Sequence, residues 1–150
     1  PGHRFGYVNF SKKQIKSLIK LKKILTKKYK IKKKYILGHS DIAPDRKMDP
    51  GEKFPWKNLY KKNVGIWHNL NDKRLINLRK KYISNKQKTL FMKKLVNFGY
   101  PSKSINIKSK IKYNKLLVKA FQRHFRPELV NGRIDLECLS IVKNLTSLIV

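Results

Sequence analysis

Tyr35-Ile36-Leu37-Gly38-His39-Ser40-Asp41-Ile42-Ala43-Pro44-Asp45-Arg46-Lys47-Met48-Asp49-Pro50-Gly51 is the stretch on which the reading of this chain turns. Its first residues are apolar, include a β-branched side chain and close on glycine, which predicts a short buried strand over 35–38 with His39 at its C-terminal end. Side chains that do chemistry are often presented at such an edge by the rigid backbone behind it. Further on, Asp49 is followed by Pro50-Gly51, a turn pair that fixes the backbone just after the carboxylate. A loop anchored at both ends can hold an imidazole and a carboxylate in register. That donor mix suits Zn2+, whose catalytic sites take three protein ligands and leave a fourth position for water. Lys47 lies two residues before Asp49, so in an extended stretch both face one side. Its cation would stabilise the oxyanion formed when water attacks an amide carbonyl. The plainer alternative is that His39 ends a strand, Asp49 makes an Asx-turn and Lys47 is solvated. The spacing of one His and one Asp does not decide between them.

On the N-terminal side, Ser11-x-x-Gln14 is a capping-box pattern, and Ile15, Leu18, Ile19, Leu25 and Tyr29 then recur on one helical face. This predicts an amphipathic helix packed under the 35–38 strand with its lysines outward. On the C-terminal side, Pro55 opens a short helix through Trp56, Leu59 and Tyr60. Periodicity weakens from Ile66 to about Ser84, where we expect the boundary between two modules. Leu90, Met92, Leu95 and Phe98 form a stripe ended by Gly99 and Pro101. A second stripe runs from Leu116 to Phe125 and stops at Pro127. A third, from Leu136 to Leu148, has Asp135 placed to cap it.

Gly38-His39-Ser40-Asp41-Ile42-Ala43-Pro44 followed by Arg46-Lys47-x-Asp49-Pro50-Gly51 resembles the signature of zinc-dependent N-acetylmuramoyl-L-alanine amidases of type 2, relatives of the peptidoglycan recognition proteins. Phe54-Pro55-Trp56-Lys57-Asn58-Leu59 is similar to that family's aromatic segment, and Pro1-Gly2-His3-x-Phe5-Gly6-Tyr7 to the stretch after its catalytic strand. The resemblance implies that His39 and Asp49 are two of three zinc ligands and that Lys47 stabilises the transition state. It places His3 near the substrate cleft, where, like Trp56, it is a candidate substrate contact. The strands that carry the family's first zinc histidine and its catalytic glutamate have no counterpart here. Leu117-Val118-Lys119-Ala120-Phe121-Gln122-Arg123-His124-Phe125-Arg126-Pro127, then Asn131-Gly132-x-Ile134-Asp135, resembles a peptidoglycan-binding three-helix module. The fold implied is the C-terminal part of an α/β amidase domain over 1–70, made of helix, strand, zinc loop and short helix. A small all-α three-helix module over 84–150 follows it.

The net charge is +30, from 38 Lys and Arg against 8 Asp and Glu. Such a charge attracts any polyanion, including nucleic acid, anionic lipid and a carboxylate-bearing wall polymer. The cations are scattered through every segment and only seven are Arg. A dedicated nucleic-acid site concentrates charge and interleaves aromatics, so no specific nucleic acid is expected. One cysteine, Cys138, excludes an intrachain disulfide and reads as a buried core thiol. His68 and His124 have no partner pattern that makes them metal ligands. No run is long enough to span a membrane.

The expectation is hydrolysis of the amide between N-acetylmuramic acid and L-alanine, with Zn2+ as cofactor and peptidoglycan or muropeptides as partners. The family would place it in the periplasm or cell envelope of a bacterium. The chain opens on Pro1 inside a family motif, so we expect a C-terminal fragment that alone binds zinc weakly and lacks activity. The rival expectation is a non-catalytic cationic protein that binds the cell wall.

Overall fold

The computed structural model describes residues 8–103 and 106–148. These form seven α-helices and a short 3-10 turn. The helices are α1 Lys12–Lys28, α2 His39–Ile42, α3 Trp56–Tyr60, α4 Asp72–Arg79, α5 Asn85–Phe98, α6 Ile107–Phe125 and α7 Leu136–Leu148.

Local chemistry explains most of the ends. Ser11 and Gln14 close a reciprocal capping box at α1, Gln14 N–H donating to Ser11 Oγ and Ser11 N–H to Gln14 Oε1. Ser84 and Gln87 repeat it at α5. Asn71 accepts from the Arg74 N–H to begin α4, and Asp135 accepts from the Cys138 N–H to begin α7. Gly99 ends α5 at φ 120°, a backbone conformation that side chains disfavour.

No strand is present among the described residues, which corrects the expectation of an α/β domain. Lys33–Tyr35 is the 3-10 turn, and Ile36 bonds back to it through N–H to Lys33 O at 3.2 Å. Ile36 is extended at φ −93°, ψ 99°, but a strand exists only by pairing, and no second extended segment pairs with it among the described residues. The expected packing of α1 fails with it. None of its residues is buried, and Leu21 and Ile24 stand more than half exposed. It is tied to the rest by a polar contact, Lys22 Nζ donating to Asn63 O at 2.6 Å; beside it Phe10 meets Phe54 edge to face.

The core gathers around α5, α6 and α7. Phe91, Leu95, Phe121, Ile141, Val142 and Leu145 are fully buried, and Trp56, Trp67 and Leu75 join the same cluster. Helix α7 packs on α5 and α4, while α6 carries α2 and α3 on its surface. The α6–α7 connection is held by side chains of α6. Gln122 accepts from the N–H groups of Asn131 and Gly132 and donates to Arg133 O. Glu137, nearly inaccessible, takes Arg79 through two hydrogen bonds at 2.6 and 2.9 Å and Arg126 through a third at 2.9 Å. Glu137 foremost, with Glu128, pushes the Arg79 guanidinium further up in pKa; for Arg126 burial is the largest cause and lowers it, but Cys138, Asp135 and Glu137 together outweigh that and raise it.

Candidate functional site

His39 opens α2, and the loop that follows brings Asp49 back beside it. His39 Nδ1 lies 3.2 Å from Asp49 Oδ2, with side-chain exposures of 51% and 63%. The loop is closed by backbone bonds. Ser40 N–H donates to Asp49 O at 2.9 Å, and Arg46 and Lys47 N–H both donate to Ala43 O. Asp49-Pro50 is a cis peptide. Lys47 is exposed two residues before the carboxylate, and its ammonium is in no ion pair among the described residues.

The 3.2 Å spacing is that of an imidazole–carboxylate hydrogen bond, and it is also compatible with one edge of a zinc tetrahedron, whose donors at about 2.0–2.1 Å sit roughly 3.3 Å apart. Both donors are open to solvent and of the right type, so they fit as two ligands. No group of three or more His, Cys, Asp or Glu that could hold a metal is present among the described residues.

Behind the pair stands a residue that sequence reasoning missed. Asp41 is buried in α2 and accepts three hydrogen bonds: from Gly38 N–H at 2.8 Å, Tyr100 Oη–H at 2.7 Å and His124 Nδ1 at 2.7 Å. A carboxylate only accepts, so Nδ1 of His124 carries the hydrogen. Burial raises the Asp41 carboxyl, but the neighbouring His124 and the hydrogen bonds from His124, Tyr100 and Gly38 outweigh it, leaving the group below its ordinary value. Burial and Asp41 push the Tyr100 phenol well above its own. Asp41 lies inside the motif that marks the loop, but two of its three partners lie 59 and 83 residues away in the chain.

Trp56 is buried, its indole stacked on His124 at 3.8 Å and edge-on to Phe54 at 4.7 Å. His124 is also buried, its other ring contact being Phe125 at 4.1 Å, and its Nε2 finds no partner among the described residues. His68 is buried beside Trp67, away from His39, and burial is the largest cause of its lowered pKa. His3 lies outside the described residues.

Residues 2–52 match the family model described as N-acetylmuramoyl-L-alanine amidase. Over 145 residues, 93% of its length, the chain is 32% identical to the N-acetylmuramoyl-L-alanine amidase AmiD of Escherichia coli, of which that alignment covers 49%. A shorter stretch of 49 residues is 47% identical to the 1,6-anhydro-N-acetylmuramyl-L-alanine amidase AmpD of Haemophilus influenzae, covering 32% of this chain and 27% of that one. Among solved structures, the Escherichia coli AmiD in complex with anhydro-N-acetylmuramic acid-L-Ala-D-γ-Glu-L-Lys superposes with a TM-score of 0.77 at 31% identity, over 95% of this chain and 54% of that one. AmpDh3 of Pseudomonas aeruginosa with an anhydromuramic pentapeptide gives 0.77 at 29%, over 96% and 56%. The chain therefore spans about half the length of the AmiD and AmpDh3 relatives it matches along nearly all of its own.

Proposed function

We propose that this chain is part of a zinc-dependent N-acetylmuramoyl-L-alanine amidase of the type 2 family, acting on muropeptides in peptidoglycan turnover in the cell envelope. The observation that carries the reading is the His39–Asp49 pair at tetrahedral-edge spacing, inside the segment that matches the amidase family. The relatives solved with anhydromuramyl peptides support that substrate class.

In this reading His39 and Asp49 would hold Zn2+, which when bound would supply a Lewis acid for the scissile carbonyl and lower the pKa of water. Lys47, two residues before Asp49 in the same loop, would supply a cation for the negative charge that grows on the carbonyl oxygen as the amide is attacked. The exposure of both ligands leaves the pair open to a polymeric substrate. The backbone bonds of the 38–49 loop hold the donors in register without a side chain between them and solvent. A third ligand would come from outside the described residues, since no third His, Cys, Asp or Glu joins the pair among them.

Joining this chain to the N-terminal half of the Escherichia coli AmiD tests the proposal. The expected result is zinc-dependent release of the L-alanine-terminated peptide from a muropeptide, abolished by His39→Ala. Lys47→Ala should lower kcat by roughly 100-fold or more, as loss of one oxyanion donor does. A folded, zinc-loaded chimera that releases no peptide would refute it.

The +30 charge favours one other reading, a cationic wall-binding protein without catalysis. Retention on purified peptidoglycan at physiological salt, with no cleavage by the chimera, would support that reading instead.

A further inference from the structure

The one-turn helix α2 is far too short to be stable alone, so its geometry is imposed by what it touches. Its buried carboxylate, Asp41, is where that happens. An unpaired carboxylate at this depth would cost several kcal/mol. Two of its three donors come from the C-terminal half of the chain: Tyr100, which follows α5, and His124, in the last turn of α6. The third is the N–H of Gly38, immediately before His39. Between that glycine and Asp41, Ser40 N–H holds the carbonyl of Asp49. The backbone on which both proposed ligands depend is therefore fastened through residues adjoining Asp41, and Asp41 is fastened to the C-terminal helices.

We propose that His124 and Tyr100 are positioning residues for the His39–Asp49 pair, acting through Asp41, so that the C-terminal helices set the geometry of the ligand loop. The claim about zinc rests on the proposed function; the claim about loop geometry stands on the hydrogen bonds alone. His124 is also a packing residue, stacked between Trp56 and Phe125, and the two roles make opposite predictions. Phenylalanine keeps the stack and removes the donor. Asparagine loses the stack and keeps a donor near the position of Nδ1.

The experiment uses the 150-residue chain with Tyr100→Phe, His124→Phe and His124→Asn. Zinc affinity is measured by calorimetric titration, and hydrogen exchange of the Ser40 amide reports loop closure without metal. Tyr100→Phe and His124→Phe should each weaken zinc binding by about tenfold, the lower end for a group that orients a ligand from behind. Both should speed exchange at Ser40 while leaving the amides of α5 and α7 protected, and His124→Asn should restore slow exchange. Unchanged zinc affinity and Ser40 protection in His124→Phe, with both lost in His124→Asn, would overturn the proposal in favour of packing alone. If the parent chain takes up no zinc, Ser40 exchange alone decides the positioning claim; if the AmiD chimera takes up zinc and His39→Ala leaves that affinity unchanged, the zinc reading fails and Ser40 exchange still decides the positioning claim.

Discussion

Gly38 occupies a place with no room for a methyl group. A Cβ there would lie 2.7 Å from Pro50 Cδ, 3.2 Å from Asp41 Oδ2 and 3.4 Å from the Trp56 ring. Pro50 is a ring next to Asp49, and Trp56 is locked against His124, so neither yields cheaply. Gly38→Ala should destabilise the chain by about 1–3 kcal/mol, as overpacking does, and displace Asp49 from His39. Thermal denaturation and zinc titration would show both losses. Cys138 makes a different point about single residues. Burial is the main cause that pushes its thiol up to about 12, so at about pH 8 it carries almost no thiolate. A thiol-exchange reagent should leave the native protein unlabelled and react once denaturant opens it. The reading of Cys138 as a core thiol needed only its apolar helical neighbours. Asp41 could not be read that way, because its role depends on a tyrosine and a histidine that the fold, not the sequence order, brings to it.

Among the elements, those whose ends are written in local chemistry were legible. The capping box of α1, the glycine stop of α5 and the Asp135 cap of α7 each lie within three or four residues of the helix they define. The 35–38 strand was misread because an apolar run specifies burial, whereas strand pairing requires a second segment that no local pattern contains. Helix α4 was passed over because only Leu75 of its residues is buried, which leaves little periodicity to see. Besides Leu75 in the core, its attachment is electrostatic: Arg79 reaches across to Glu137 of α7, which also holds Arg126 just past the end of α6. Glu137→Gln should destabilise the protein by about 1–3 kcal/mol, since it leaves buried Arg126 with Asp135 and half-buried Arg79 with Glu128 as the remaining charge partners. Chemical denaturation would measure the loss, and a change below about 1 kcal/mol would mean that the arginines find other acceptors.

At the scale of the whole molecule the charge dominates. With 38 cationic side chains against 8 acidic ones, self-repulsion works against the compact state. Raising ionic strength from about 0.01 M to 0.15 M shortens the screening length from roughly 30 Å to 8 Å. The denaturation temperature should therefore rise with added salt; a fall would show that the ion pairs around Glu137, Asp72 and Asp45 outweigh the repulsion. The same imbalance is distributed unevenly against the core. Helix α1 carries eight lysines and no acid, and buries none of its side chains, while α5, α6 and α7 enclose the aromatic centre. Under brief digestion with a lysine-directed protease, the first cuts should fall within 12–28. They should leave a resistant remnant that begins between 29 and 38, ahead of α2, a sharper boundary than any composition change along the chain marks.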